Sequence, residues 1–243
     1  MREIVLDTET TGFEPHEGDR IVEIGAVELI GHVPTGRTYH QYINPMRSMP
    51  EGAFGVHGIG PDLLEPPRAA ENGEVTLRDK PVFADIAQSF LDFVGDAKMV
   101  IHNAAFDMKF LNAELGWLNR PHLPMDQSLD TLAIARRKFP GSPASLDALC
   151  RRFAIDNSNR TLHGALLDSE ILAEVYLELI GGRQPDFGLG AAASNSSSTA
   201  IASDDWRPQQ RLTPLSPRIT KEEAAAHHAF IESLGDGVLW NHD

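Results

Sequence analysis

The segment Ile4-Val5-Leu6-Asp7-Thr8-Glu9 sets two carboxylates two residues apart on an apolar strand. Side chains alternate along a strand, so Asp7 and Glu9 project from the same face. Like charges that close repel, and a strand beside an apolar core gains nothing from them unless a cation sits between. Either that face is a solvated strand edge, where such a pair is common, or the fold brings it up against compensating groups. A calcium loop does not supply them: counted from Asp7, Gly12 falls at position six, but Gly18 stands where a bidentate glutamate is required.

Two further acids lie on apolar stripes. Asp107, in HNAAFDMKFL, shares the inward side of a helix with Phe110 and Leu111. Asp168 stands beyond the first few residues of its helix, on the stripe of Leu172, Val175 and Leu179, where an unpaired carboxylate would be neutralised or destabilising. His163 precedes that helix and can lean over the same place; an imidazole is suited to taking a proton from water. Four carboxylates and a histidine without thiols select hard divalent ions, Mg²⁺ or Mn²⁺, over a structural zinc.

Of the 243 residues 42% are apolar, enough for one core of roughly 180 residues with a less compact appendage. The formal net charge of −14 excludes a basic coat as the means of gripping a polyanion. Cys150 is the single cysteine, which fits a reducing, cytoplasmic setting without disulfides. No apolar run approaches the roughly 18 residues of a membrane span and no signal-peptide pattern opens the chain, so no membrane partner is expected.

Residues 2–8 read as a short apolar strand, and Ile21–Val33 as two β-branched runs interrupted by Glu23, Gly25 and Glu28. Tyr39–Ile43 supplies a third strand. Arriving with short connections, these predict an antiparallel start to the sheet. Residues 66–80 are polar and aperiodic and read as an exposed loop. Phe83, Ile86, Ala87, Phe90, Leu91 and Val94 predict a helix. Met99–Ile101 reads as a strand, followed by helices over 104–115, 128–139, 145–153 (capped by Ser145) and 164–180. Strands first and helices later imply an α/β sheet with helices packed on it.

After Gly181-Gly182 the character changes: 188–205 holds almost nothing large enough to bury and reads as a flexible linker. Beyond it Thr220 and Glu223 match a capping box, Phe230 and Leu234 share a helical face, and Trp240 lies near the end. An amphipathic tail with no core of its own needs a partner.

There is no GxSxG elbow and no GxGxxG or P-loop cradle, which removes serine-hydrolase and nucleotide-triphosphate chemistry. LDTETTG at 6–12, HNAAFD at 102–107 and HGALLDSEILAEVY at 163–176 resemble the three motifs of the DEDD exonuclease superfamily; the spacing from His163 to Asp168 is that of its histidine branch. Over residues 1 to about 180 the chain is similar to the proofreading, or epsilon, subunits of bacterial DNA polymerase III.

The resemblance implies a ribonuclease H-like fold with a mixed central sheet and helices on both faces, and 3′-to-5′ removal of mispaired DNA ends by two divalent cations. It implies Asp7, Glu9 and Asp168 as metal ligands that also touch substrate, Asp107 as the fourth acid, and His163 as general base. FGVHGI at 54–59 implies that His57 contacts the nucleic acid; Gly52, where many relatives carry an acid, keeps only a backbone role. It implies three regions: an exonuclease domain at 1–181, a linker at 182–218, and a tail at 219–243 that binds the polymerase alpha subunit through residues such as Phe230 and Trp240. Gln184, Phe187 and Leu189 loosely match a peptide that binds a sliding clamp. The acids alone suit a DNA or an RNA 3′ end; the tail favours the polymerase-tethered reading over a free-standing ribonuclease, and competent residues at all five catalytic positions disfavour an inactive scaffold.

Overall fold

The computed structural model describes residues 1–71, 73–158, 162–181 and 219–233. The chain divides into two compact units, within 1–189 and within 190–243. In the first, strands β1 (Arg2–Thr10), β2 (Ile21–Ile30), β3 (Val33–Tyr42), β4 (Lys98–Ile101) and β5 (Ser128–Asp130) form a sheet in the order β3-β2-β1-β4-β5. The first three are antiparallel, as the short connections predict; β4 joins β1 in parallel, and β5 joins β4 in parallel. Strand β1 therefore has an antiparallel neighbour on one side and a parallel one on the other.

Helices α1 (Glu51–His57), α2 (Phe83–Val94), α3 (Ala104–Trp117), α4 (Thr131–Lys138), α5 (Leu146–Phe153) and α6 (Ala165–Leu179) complete this unit. Alternation along β1 sorts them onto two faces. Ile4 and Leu6 pack with Phe83 and Phe90 of α2 and Met108 and Phe110 of α3. Val5, pointing the other way, packs with Leu172 and Tyr176 of α6. Helix α6 is apolar on more than one side because Ile171, Val175 and Leu179 also pack on Ala135 of α4 and Leu149 of α5. The sheet is thus covered on both faces.

Several sequence expectations are corrected. Glu23, Gly25 and Glu28 do not interrupt a strand: Ile21–Ile30 is continuous, and both glutamates are buried with partners, Glu28 holding Arg2 and Arg37 and Glu23 holding His40. The helix expected from Ser128 starts at Thr131, because Ser128–Asp130 pair with Met99–Ile101 as β5. The 66–80 segment is not wholly exposed: Leu77 is buried, its N–H donates to Asp62, and Val75 bridges Ile59. Helix α1 was not anticipated, since two glycines in Glu51–His57 mask its period; it forms where Ala53 and Phe54 pack against Val22, Met49 and Leu77.

The second unit contains helix α7 (Lys221–Ser233). Its capping box is formed: Thr220 N–H donates to Glu223 Oε2 at 2.8 Å, and Glu223 N–H donates to Thr220 Oγ1 at 3.2 Å. Phe230 is exposed. Gln184, Phe187, Leu189, Leu234, Trp240 and the 182–218 linker lie outside the described residues. Among the described residues no helix is long and apolar enough to cross a membrane.

Candidate active site

The acids gather at the carboxyl end of β1, where helices from both faces begin. Asp7 and Glu9 lie opposite Gly25 and Glu23 of β2, toward the α6 side of the sheet. Helix α3 starts on the other face just past β4, and Asp107 in its first turn reaches β1 through Thr8, whose hydroxyl donates to Asp107 Oδ1 at 2.7 Å. Asp168 comes from α6. It stands in the first turn, not beyond it as the sequence reading had it, so the positive end of the helix also favours its charge. His163 brings Nδ1 to 3.3 Å from Asp168 Oδ2. Its backbone N–H donates to Val56 O at 3.1 Å, tying the histidine to α1. One ligand atom from each of Glu9, His163 and Asp168 lies within 4.8 Å of the others.

A cavity of about 280 Å³ opens over this cluster, lined by all five residues that the sequence singles out for chemistry: Asp7, Glu9, Asp107, His163 and Asp168. A second cavity of about 570 Å³ adjoins it, sharing Thr8, Glu9 and Phe106. Gly52 and His57 line the second, with the exposed Phe13 at its edge. A Cβ at Gly52 would meet nothing within 4 Å, so this position contributes backbone and open space. The structure thus resolves the sequence candidates into an acidic chamber and an apolar antechamber that meet at Glu9.

The chamber is electrostatically strained without cations. Burial pushes Asp7 well above the usual carboxylate range, and the charges of Asp107, Glu9, Asp168 and Glu23 push it further. Burial likewise raises Asp107 to about 7, against the hydrogen bond from Thr8. In the antechamber, burial lowers His57 to about 4, keeping it neutral. Its Nδ1 accepts from Ile59 N–H at 3.0 Å, which leaves the ring proton on Nε2. The oxygen-rich donor set and the raised Asp7 and Asp107 fit hard divalent cations, which would relieve the repulsion.

Residues 4–176 match the RNase T exonuclease family, described as Exonuclease. The chain belongs to this family. It is 47% identical over 237 residues to the DNA polymerase III subunit epsilon of Rickettsia felis, covering 96% of this chain and 97% of that one. It is 42% identical over 251 residues to the protein of that name from Escherichia coli, covering 98% and 97%. Among solved structures, exonuclease X with 5′-overhanging duplex DNA has a TM-score of 0.53 and 24% identity, covering 73% of this chain and 90% of that chain. The nuclease domain of 3′hExo, a DEDDh family member bound to rAMP, has a TM-score of 0.58 and 18% identity, covering 74% and 91%. These likenesses bear out the ribonuclease H-like fold that the motifs imply.

This exonuclease chain also places in its site residues that the sequence reading passed over. Thr8 sits inside LDTET, but on the face opposite Asp7 and Glu9, so carboxylate spacing does not flag it. Phe106 belongs to HNAAFD and forms the wall between the two cavities. Asp147 lines the chamber from the first turn of α5, where it looks like ordinary helix-end chemistry. Glu23, outside the lining of both cavities, stands opposite Glu9 on β2 and reads as a strand breaker until its partners are seen.

Proposed function

We propose that this chain is the 3′-to-5′ proofreading exonuclease subunit of the replicative DNA polymerase III, removing mispaired 3′-terminal nucleotides as 5′-monophosphates. The observation that carries this reading is the convergence of Glu9, His163 and Asp168, with donor atoms within 4.8 Å, beside Asp7 and the Thr8-held Asp107. Asp7, Glu9 and Asp168 would hold two divalent cations, Mg²⁺ or Mn²⁺. When bound, these supply charge neutralisation at the scissile phosphate and activation of water. The chain's own residues do the rest. His163, half-exposed at the mouth of the chamber, accepts the proton of the attacking water. Asp168, at 3.3 Å from its Nδ1, orients the ring. Thr8 keeps Asp107 from swinging away. His57 and the Gly52 backbone line the antechamber that receives the terminal nucleoside, and Phe106 lines both cavities where they adjoin.

A chain of net charge −14 has no overall electrostatic attraction to DNA. The grip comes from the polymerase: the 219–243 tail, with Phe230 exposed on α7 and Trp240 beyond it, binds the alpha subunit. The 182–218 segment tethers the nuclease, raising its effective concentration at a frayed primer end. Gln184, Phe187 and Leu189 in that segment form a candidate contact for the beta sliding clamp. Preference for a mismatch follows from the lower cost of unstacking a mispaired terminus. The test compares matched, mismatched and RNA 3′ ends with Mg²⁺ or Mn²⁺ present, alongside Asp7→Ala. Faster release of 5′-monophosphates from the mismatch, abolished in D7A, is the expected outcome. Equal rates on all three ends would favour a general exonuclease, and an active D7A would remove the site.

A further inference from the structure

The catalytic histidine and Asp168 both depend on where α6 begins, and that start is held from the sheet. The N-cap of α6 is Gly164, which offers no side-chain acceptor for the first N–H groups of the helix. Glu23 of β2 supplies one: its Oε2 accepts the Ala165 N–H at 3.0 Å, across 142 positions of sequence. Its other oxygen, Oε1, lies 2.7 Å from His40 Nε2 on β3. Glu23 is 2% exposed and its contact with Ala165 is buried, while His40 reaches it from the partly exposed side. Two further features seat the same helix end. A Cβ on Gly25 would come within 2.1 Å of Ala165 C and Leu166 N, so only glycine lets the helix lie this close. Ser169 Oγ then donates to Gly25 O at 2.9 Å.

We propose that Glu23 is a positioning residue for the hydrolysis: through Ala165 it sets the start of α6, and with it His163 and Asp168, over the strand that carries Asp7 and Glu9. Ala165 is two residues after His163 and three before Asp168, so a shift at this amide moves both. Electrostatics argues that the reach and acceptor capacity of Glu23 matter more than its charge. Another buried anion beside four acids adds to their repulsion, and its charge is among those acting on Asp7. A neutral residue that could still accept the hydrogen bond would serve the helix without that cost.

The effect on turnover rests on the exonuclease reading, so the test pairs turnover with a measurement that does not. Three variants of the full chain separate the possibilities: Glu23→Gln keeps reach and acceptor without charge, Glu23→Met keeps reach alone, and Glu23→Asp keeps charge but shortens the reach. Hydrogen exchange at the Ala165 amide, measured in metal-free protein, should stay protected in E23Q and lose protection at least ~10-fold in E23M and E23D. In the nuclease assay kcat should fall about 100-fold in E23M and E23D with KM nearly unchanged, and stay within about 3-fold of wild type in E23Q. Should E23M fail to fold, E23D against E23Q decides alone. Protection and kcat kept in E23D, or lost as far in E23Q as in E23D, would overturn the proposal. If the wild type degrades no 3′ end, the exonuclease reading falls, and the Ala165 exchange pattern by itself upholds or overturns the positioning role.

Discussion

Replacing Asp107 by asparagine should stabilise the metal-free protein while disabling it, and the stabilisation should grow with pH. Asp107 is 3% exposed, and burial carries its carboxyl from 3.8 to about 7. A raised acid pKa means the folded state holds the proton more tightly than the unfolded chain, so the folded state is penalised as pH climbs from about 4 to 7. The full penalty, of order 4 kcal/mol, is present above pH 7, and roughly 3 kcal/mol of it develops between pH 5 and pH 8. Asparagine carries no charge and still offers Thr8 an acceptor, so it escapes this penalty. Relaxation and water entry reduce the gain, yet a rise of at least ~1 kcal/mol in the D107N advantage, or about 2–4 °C in Tm, is expected between those pH values.

The assay is thermal unfolding of both proteins in a chelator at pH 5, 6, 7 and 8, repeated with saturating Mg²⁺. Cation binding should shrink the advantage of D107N, because it stabilises the wild-type carboxylates that the variant lacks in part. Exonuclease turnover should fall by about two orders of magnitude or more. An advantage that does not change with pH, or a wild type more stable at every pH in chelator, would refute the view that the buried Asp107 carboxylate strains the folded state.

Two other outcomes follow from the same geometry. Gly25→Ala forces a Cβ to within 2.1 Å of Ala165 and Leu166 backbone atoms; it should cost about 1–3 kcal/mol in denaturant unfolding and lower kcat about 100-fold. Wild-type kcat in G25A would mean that α6 can move without harm. Truncation at residue 190 should leave exonuclease turnover on single-stranded DNA unchanged while abolishing capture of the polymerase alpha subunit in a pull-down. Retained capture would place the contact on the exonuclease domain.

How much of this was legible in the sequence depends on whether the needed information was local. The stripe from Phe83 to Val94 repeats at helical period and gives α2 at the observed bounds. Asp107 and Asp168 stand out because each breaks an apolar stripe, and both prove buried. What stayed hidden was set by distant partners. Ser128–Asp130 is too short to show a period and becomes a strand by pairing with β4. Glu23 and Glu28 look like interruptions because His40, Ala165, Arg2 and Arg37, which satisfy them, lie elsewhere in the chain. Glu9 and Asp168 are 159 positions apart, and periodicity shows that each faces inward without showing that they face each other. The motif resemblance supplied that link.

The division of labour between nuclease and polymerase has a consequence in salt. A protein that neutralises Z phosphates of single-stranded nucleic acid with its own cations loses affinity with a slope near −0.7Z against the logarithm of salt concentration. Among the described residues, no lysine or arginine lines either the acidic chamber or the adjoining cavity. On the proposed function, a nucleotide held there would meet carboxylates, hydroxyls, aromatic rings, backbone and neutral His57. With divalent cation held saturating, the free chain should therefore show a KM on single-stranded DNA that depends only weakly on added KCl, with a slope magnitude below about 1. The complex with the polymerase should show the steeper dependence of whatever surface holds the duplex. A slope of several units for the free chain would mean that DNA is bound along a basic path outside the two cavities, and that the −14 net charge hides a local grip.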